Sequence, residues 1–128
     1  MMGNLTAEKN KKFELACVNI ESLCDADREL GAIGADARGV KIMREKAVFR
    51  VVKVRDVPLR AANLLKQIFL SKGGEAAVSR GTAALAVEST DMLLMGTLAV
   101  FRAAIASMHE QPFGLRALSD ELTDLLFS

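Results

Sequence analysis

Tryptophan and tyrosine are absent from this 128-residue chain, histidine occurs once, and there are two cysteines and two prolines. Each shortage excludes something. With the aromatics reduced to Phe, and the Phe residues set within apolar stripes, no basic stripe interleaved with aromatics is present to bind nucleic acid. Six methionines replace part of the missing aromatic bulk. His109 stands far from Cys17 and Cys24, whose spacing matches no zinc knuckle, so no metal is expected. Two cysteines without a secretion signal make no disulfide framework, and both are expected as buried structural thiols. A lone histidine also leaves little from which to assemble a nucleophilic triad, and no catalytic residue is assigned. No apolar run approaches the roughly 18 residues of a membrane span. The formal net charge of +1 creates no field that would attract nucleic acid or a membrane surface. A cytoplasmic protein with neither partner is the expectation.

What is present is an ordinary globular composition, 51% apolar and 26% charged. Residues 1–12 carry Lys9, Lys11 and Lys12 and are expected to form a disordered tail. Residues 13–128 show no linker and no repeat, and are read as a single domain. Phe13 to Ile20 has the look of a strand. Ser22 is an N-cap candidate with Asp25 three positions on, and Leu23, Ala26, Leu30 and Ile33 follow at helical spacing. Asp36 is a second cap candidate. The β-branched run Val48 to Arg55 predicts a strand. Asp56 is then read as the cap of a helix over 58–72, with Pro58 in its first turn and Gly73-Gly74 ending it. Glu75–Ser79 and Thr82–Val87 are short strand candidates. Arg80-Gly81 between them is a tight turn or a bulge. Met92–Met95 is wholly apolar, as in a central strand covered on both faces. Thr97 caps a helix with the stripe Leu98, Phe101, Ile105, Met108. Pro112-Phe113-Gly114 breaks it, and a last helix carries Leu115, Leu118, Leu122, Leu125 and Leu126 on one face. This alternation predicts an α/β layered domain, with a mixed or mostly parallel sheet of about four to five strands packed with helices.

The stretch DVPLRAANLLKQIFLSKGGEAAVSRGTAALAVESTDMLLMGTLAVFRAAIASMHEQPFG, from Asp56 to Gly114, carries a resemblance. The ordered blocks VPLRAANLLKQ, KGGEAAVSRG, TDMLLMGT and QPFG resemble the accessory N-terminal domain that precedes the catalytic barrel in dihydropteroate synthases of some anaerobic bacteria and archaea. The resemblance extends upstream to about Gly39 and nearly to the C-terminus. It implies folate-type metabolism. The pterin chemistry of those enzymes belongs to the barrel, so none of its catalytic residues carries over, and no cofactor is implied for this chain.

Two constellations remain as candidate sites. On the helix over 58–72, Arg60, Asn63 and Gln67 share a polar face, with Lys66 beside them. Amides that both donate and accept suit a hydrogen-bonded contact, so this face is the expected interface. The ends of strands are the second. If the strands run parallel, Asp56, Arg80 and Thr97 share one sheet edge, where helix N-termini favour an anionic ligand. Glu88 and Asp91 read as turn chemistry. The main expectation is a non-catalytic accessory module that associates with a separate dihydropteroate synthase barrel, a second copy of itself, or both. The alternatives are a binding protein or minor enzyme for a pterin-like or anionic ligand, and a structural homo-oligomer.

Overall fold

The computed structural model describes residues 12–83, 85 and 87–128. The expected tail lies outside these apart from Lys12. The elements run α1 (Leu23–Ala32), α2 (Ala37–Met43), a 3-10 turn (Arg44–Lys46), β1 (Phe49–Pro58), α3 (Leu59–Ser71), β2 (Glu75–Ala77), α4 (Arg80–Ala83), β3 (Ser89–Thr97), α5 (Leu98–Met108) and α6 (Leu115–Phe127).

Among the described residues the sheet has three strands in the order β1-β3-β2, and both pairings are antiparallel. This corrects the expected parallel sheet of four to five strands. The β1–α3–β2 unit does return its second strand parallel to the first, as the alternation suggested. The two are not neighbours, however, because β3 inserts between them in the opposite direction. Two strand candidates also fall away. Residues 13–20 form no strand and pair with none of the described strands. Arg80–Ala83 is a helical turn where a turn or bulge and then a strand were expected.

Helices cover one face of the sheet only. Val52 and Val57 of β1, Ala76 of β2, and Met92 and Leu94 of β3 are buried beneath α3, α5 and α6 with Ala61, Leu65, Ile68, Phe69, Phe101, Ala104, Met108, Leu115 and Leu122. Phe69 and Phe101 meet edge to face at 5.1 Å, joining α3 to α5. A smaller cluster of Ala26, Val48 and Leu98, with Ile20, Leu23 and Phe127 alongside, attaches α1. One-sided cover explains why β3 alternates buried and exposed positions although Met92–Met95 is apolar throughout. Leu93 faces outward from the strand that was expected to be covered on both sides.

The caps follow their sequence signals at α1, α2 and α5. Ser22 Oγ accepts from Asp25 N, Asp36 Oδ1 from Gly39 N and Thr97 Oγ1 from Val100 N. At the end of α3, Gly73 takes φ +88°, a conformation that costs a residue with a β-carbon. Gly74 N then donates to Phe69 O and Gly73 N to Leu70 O, closing the carbonyls of the last turn. Gly74 has a different task. A β-carbon there would lie 2.7 Å from Met95 O and 2.8 Å from Val100 Cγ1. One on Gly96 would meet the same Val100 methyl at 2.8 Å. The first turn of α5 therefore rests directly on the backbone of β3 and on the entry to β2.

Two bidentate pairs bind the N-terminal helices to the rest. Arg44 Nε and Nη2 donate to Asp27 at 2.8 and 2.7 Å, and Arg102 Nε and Nη2 to Glu45 at 2.8 and 2.6 Å. The Arg102 guanidinium also stacks 4.2 Å from the centre of the Phe127 ring. The hydrogen bonds from Arg102 hold the Glu45 carboxyl below its usual range. Asp25 is held low first by the Glu21 N–H and then by Arg28. Both cysteines are exposed, against the expectation of burial: Cys17 is in the unpaired segment and Cys24 on the outer side of α1.

Two measurements test this packing. Leu94→Ala, in a wholly buried position, should lower stability by about 2–5 kcal/mol in urea unfolding, and Gly96→Ala by about 1–3 kcal/mol because the Val100 contact has no room. For Glu45, a depressed folded-state pKa means that its contribution is complete above the unfolded-state pKa. It is lost as pH falls through the folded value, so acid should weaken the contact. Glu45→Gln should flatten the acid limb of the stability–pH curve measured by thermal melts.

Candidate functional site

The antiparallel sheet separates the residues expected to share a strand-end edge. Thr97 pairs with Phe49 where β3 finishes, whereas Asp56 falls in the irregular stretch between Val54 and Val57, opposite the start of β3. Arg80 follows β2 on the side where β3 begins and is exposed. Asp56 and Arg80 thus lie towards one end of the sheet and Thr97 at the other. The premise of a common edge fails because β3 runs against both neighbours.

Asp56 is also not a helix cap. β1 continues through it to Pro58, which occupies the N-cap position of α3 without a side-chain hydrogen bond. Asp56 takes φ +55° inside a bulge of β1. Its Oδ1 accepts from Ser89 Oγ at 2.6 Å, and its N–H donates to Asp91 Oδ1 at 2.9 Å. Asp is among the few residues that tolerate this conformation, since its short side chain bonds locally. The Ser-Thr-Asp stretch read as turn chemistry is the clamp on this bulge. Nearby, Thr90 Oγ1 accepts from Ser79 N at 3.0 Å and Ser79 Oγ lies 3.2 Å from Thr82 Oγ1, which ties α4 to β3.

The polar face of α3 is as the spacing predicts. Arg60, Asn63 and Gln67 are exposed, Lys66 is half-buried, and Leu70 extends the same stripe as an exposed apolar side chain. Arg60 lies 5.7 Å from the centre of the Phe113 ring, in the connection between α5 and α6. The stripe points away from the sheet, because Ala61, Ala62, Leu65, Ile68 and Phe69 occupy the inner side of α3.

Sequence reasoning missed the other surface, the uncovered face of the sheet. Phe49, Val51 and Lys53 of β1, Leu93 and Met95 of β3, and Ala77 of β2 share it by register. A shallow hollow of about 280 Å³ there is lined by Lys53, Ala77, Val78, Asp91, Met92 and Leu93. The signal was present in VFRVVKVR, whose alternate members Phe49, Val51, Lys53 and Arg55 change from apolar to basic along one face. His109, at the C-cap of α5, has Nδ1 3.5 Å from Ser119 Oγ and 4.0 Å from Asp120 Oδ1. Among the described residues no group of acids, His and Cys is arranged to hold a metal ion. Among the described residues no helix is long and apolar enough to cross a membrane.

Comparison with known proteins adds what geometry cannot. A protein of Halobacterium salinarum named "Probable bifunctional folylpolyglutamate synthase/dihydropteroate synthase" is 38% identical over 108 residues, covering 84% of this chain and 13% of that protein. A "Bifunctional dihydropteroate synthase/dihydropteroate reductase" of Helicobacter pylori is 32% identical over 93 residues, 73% of this chain and 24% of its own length. A Haloferax volcanii protein with the same name as the first is 34% identical over 106 residues, 82% of this chain and 12% of that protein. The chain is related to dihydropteroate synthase-containing bifunctional proteins. It spans between 12% and 24% of the length of these relatives. No protein-family model and no solved structure matches it.

The bulge yields a direct test. Asp56→Val should cost about 1–3 kcal/mol, since a β-branched side chain is strained at positive φ. Asp56→Asn should stay within about 0.5 kcal/mol, because Asn tolerates the conformation and keeps a carbonyl for Ser89. Chemical denaturation of both variants checks the order.

Proposed function

We propose that this chain is a non-catalytic accessory module of folate metabolism that acts by association with a dihydropteroate synthase barrel. One observation carries the reading: relatives named for that synthase align with most of this chain, yet their alignments span only a small share of their own length. The sequence blocks that first drew attention support it. Their conspicuous residues have structural tasks, with Gly73 and Gly74 closing α3 and Gly96 admitting Val100. Among the residues of these blocks that packing does not account for, Arg60, Asn63 and Gln67 form a continuous exposed stripe on α3.

The interface we assign to that partner is therefore Arg60, Asn63, Lys66 and Gln67, extended by exposed Leu70. Asn and Gln would provide paired donors and acceptors, and Leu70 a small apolar anchor. A stable contact of this kind buries on the order of 1,200 Å² or more in total.

Asn63→Glu and Gln67→Glu should each reduce co-purification of a dihydropteroate synthase barrel from native lysate. Their melting temperatures should stay within about 2 °C of the parent, since both positions are exposed on a helix. Undiminished capture by the double variant would remove the α3 face from the interface. Turnover of a pterin or folate substrate by the purified chain would replace the accessory reading with an enzymatic one.

A further inference from the structure

Residues 12–19 are all exposed and belong to no helix or strand. Phe13, Leu15 and Val18 are 73%, 66% and 56% exposed. A stretch this apolar, with strand-forming side chains, gains by pairing with a sheet that shields it from water. Among the described residues no strand of its own fold pairs with it. The segment leaves the fold at Glu21, whose carbonyl accepts from Arg50 Nη2 at 2.6 Å and whose Oε2 accepts from Asn19 Nδ2 at 2.8 Å.

A matching surface exists. Among the described residues β1 is an edge strand, hydrogen-bonded to β3 on one side only. Natural edges are blunted by bulges, proline and inward charge. The C-terminal half of β1 has such protection in its bulge, the positive φ of Asp56, and Pro58. The N-terminal half has no bulge and no proline. It exposes Phe49 and Val51, at 56% and 54%, next to basic Lys53.

We infer that residues 13–20 of one copy of this chain add as a strand to the free edge of β1 of a second copy, reciprocally, forming a homodimer. Charge and the bulge together set the orientation. Glu14 is the one acid of the segment, and β1 offers Lys53 on its open face before the bulge. An antiparallel addition that places Glu14 beside Lys53 runs away from the bulge and continues the open face with Ala16 next to Val51 and Val18 next to Phe49. It turns Phe13, Leu15 and Cys17 to the helix side, next to half-buried Val54. Main-chain hydrogen bonds supply affinity and the alternate side chains supply register, as in strand addition generally. Each segment brings three exposed apolar side chains, Phe13, Leu15 and Val18, together with its main chain, and reciprocal exchange buries both segments towards the roughly 800 Å² per partner of a standard interface.

The test uses the full chain. Sedimentation equilibrium should give a dimer. Leu15→Glu with Val18→Glu should weaken it at least tenfold with little change in the melting temperature of the monomer, because both side chains are more than half exposed. Val51→Glu on the receiving edge should do the same. Zero-length carbodiimide cross-linking of an equal mixture of ¹⁴N- and ¹⁵N-labelled protein should join Glu14 to Lys53 between a labelled and an unlabelled copy. A monomer at high concentration would overturn the inference. So would a dimer indifferent to these substitutions, which would run through another surface, or cross-links confined to single copies, which would mean that the segment closes on its own β1.

Discussion

Val100 rests on two glycines, and the layering of the whole fold depends on that contact. Its methyl group occupies the space that β-carbons on Gly74 and Gly96 would fill. Gly96 is near the end of the central strand, Gly74 at the entry to an edge strand, and Val100 in the first turn of α5. The approach draws α5 down onto the sheet immediately after Thr97 caps it. Phe101, one residue on, then reaches Phe69 and fixes α3 beside α5. Larger residues at the two glycines would lift α5 off the strands and open a gap beneath Leu94 and Phe101. Interiors at crystal-like density do not tolerate such a gap.

That constraint shows why some of the fold was legible in the sequence and some was not. Helix existence and caps are local, so Ser22, Asp36 and Thr97 could be read correctly from spacing alone. The start of α3 could not. Asp56 before Pro58 has the chemistry of a cap, but a partner distant in sequence, the Ser89–Asp91 clamp, holds it in a strand bulge instead. Strand direction is likewise non-local. β1–α3–β2 reads the same whether β1 and β2 adjoin or leave a gap, and only the insertion of β3 between them makes every pairing antiparallel. The strand-end site of Asp56, Arg80 and Thr97 was a consequence of assumed direction and failed with it. The α3 stripe depended only on helical periodicity and survived as a surface.

A single layer of helices on a single sheet leaves an apolar face and an edge to be managed. The apolar run Met92–Met95 belongs to the helix-covered side only at alternate positions, so Leu93 is left facing outward beside Val51. Residues 13–20 have the opposite problem: a strand-like pattern with no sheet. Local propensity suggested a strand there, but a strand needs a partner, and pairing could not be read from the segment itself. These two unmet requirements, a strand without a sheet and a sheet with an unprotected half-edge, lie on either side of Glu21 and Arg50.

The two surfaces assigned to partners do not compete. The stripe of Arg60, Asn63 and Gln67 points away from the sheet on the outer side of α3, while the edge of β1 and the open face lie on the other side of the layer. Occupying one would leave the other free. On the two proposals together, a barrel held through α3 and a second copy through β1 would place two barrels on one dimer. Affinity for a paired partner would then include the effective concentration created by the first attachment. A one-layer sheet is a weak way to make an isolated globule, since it leaves apolar surface in water. It is well suited to a protein whose remaining cover comes from what it binds.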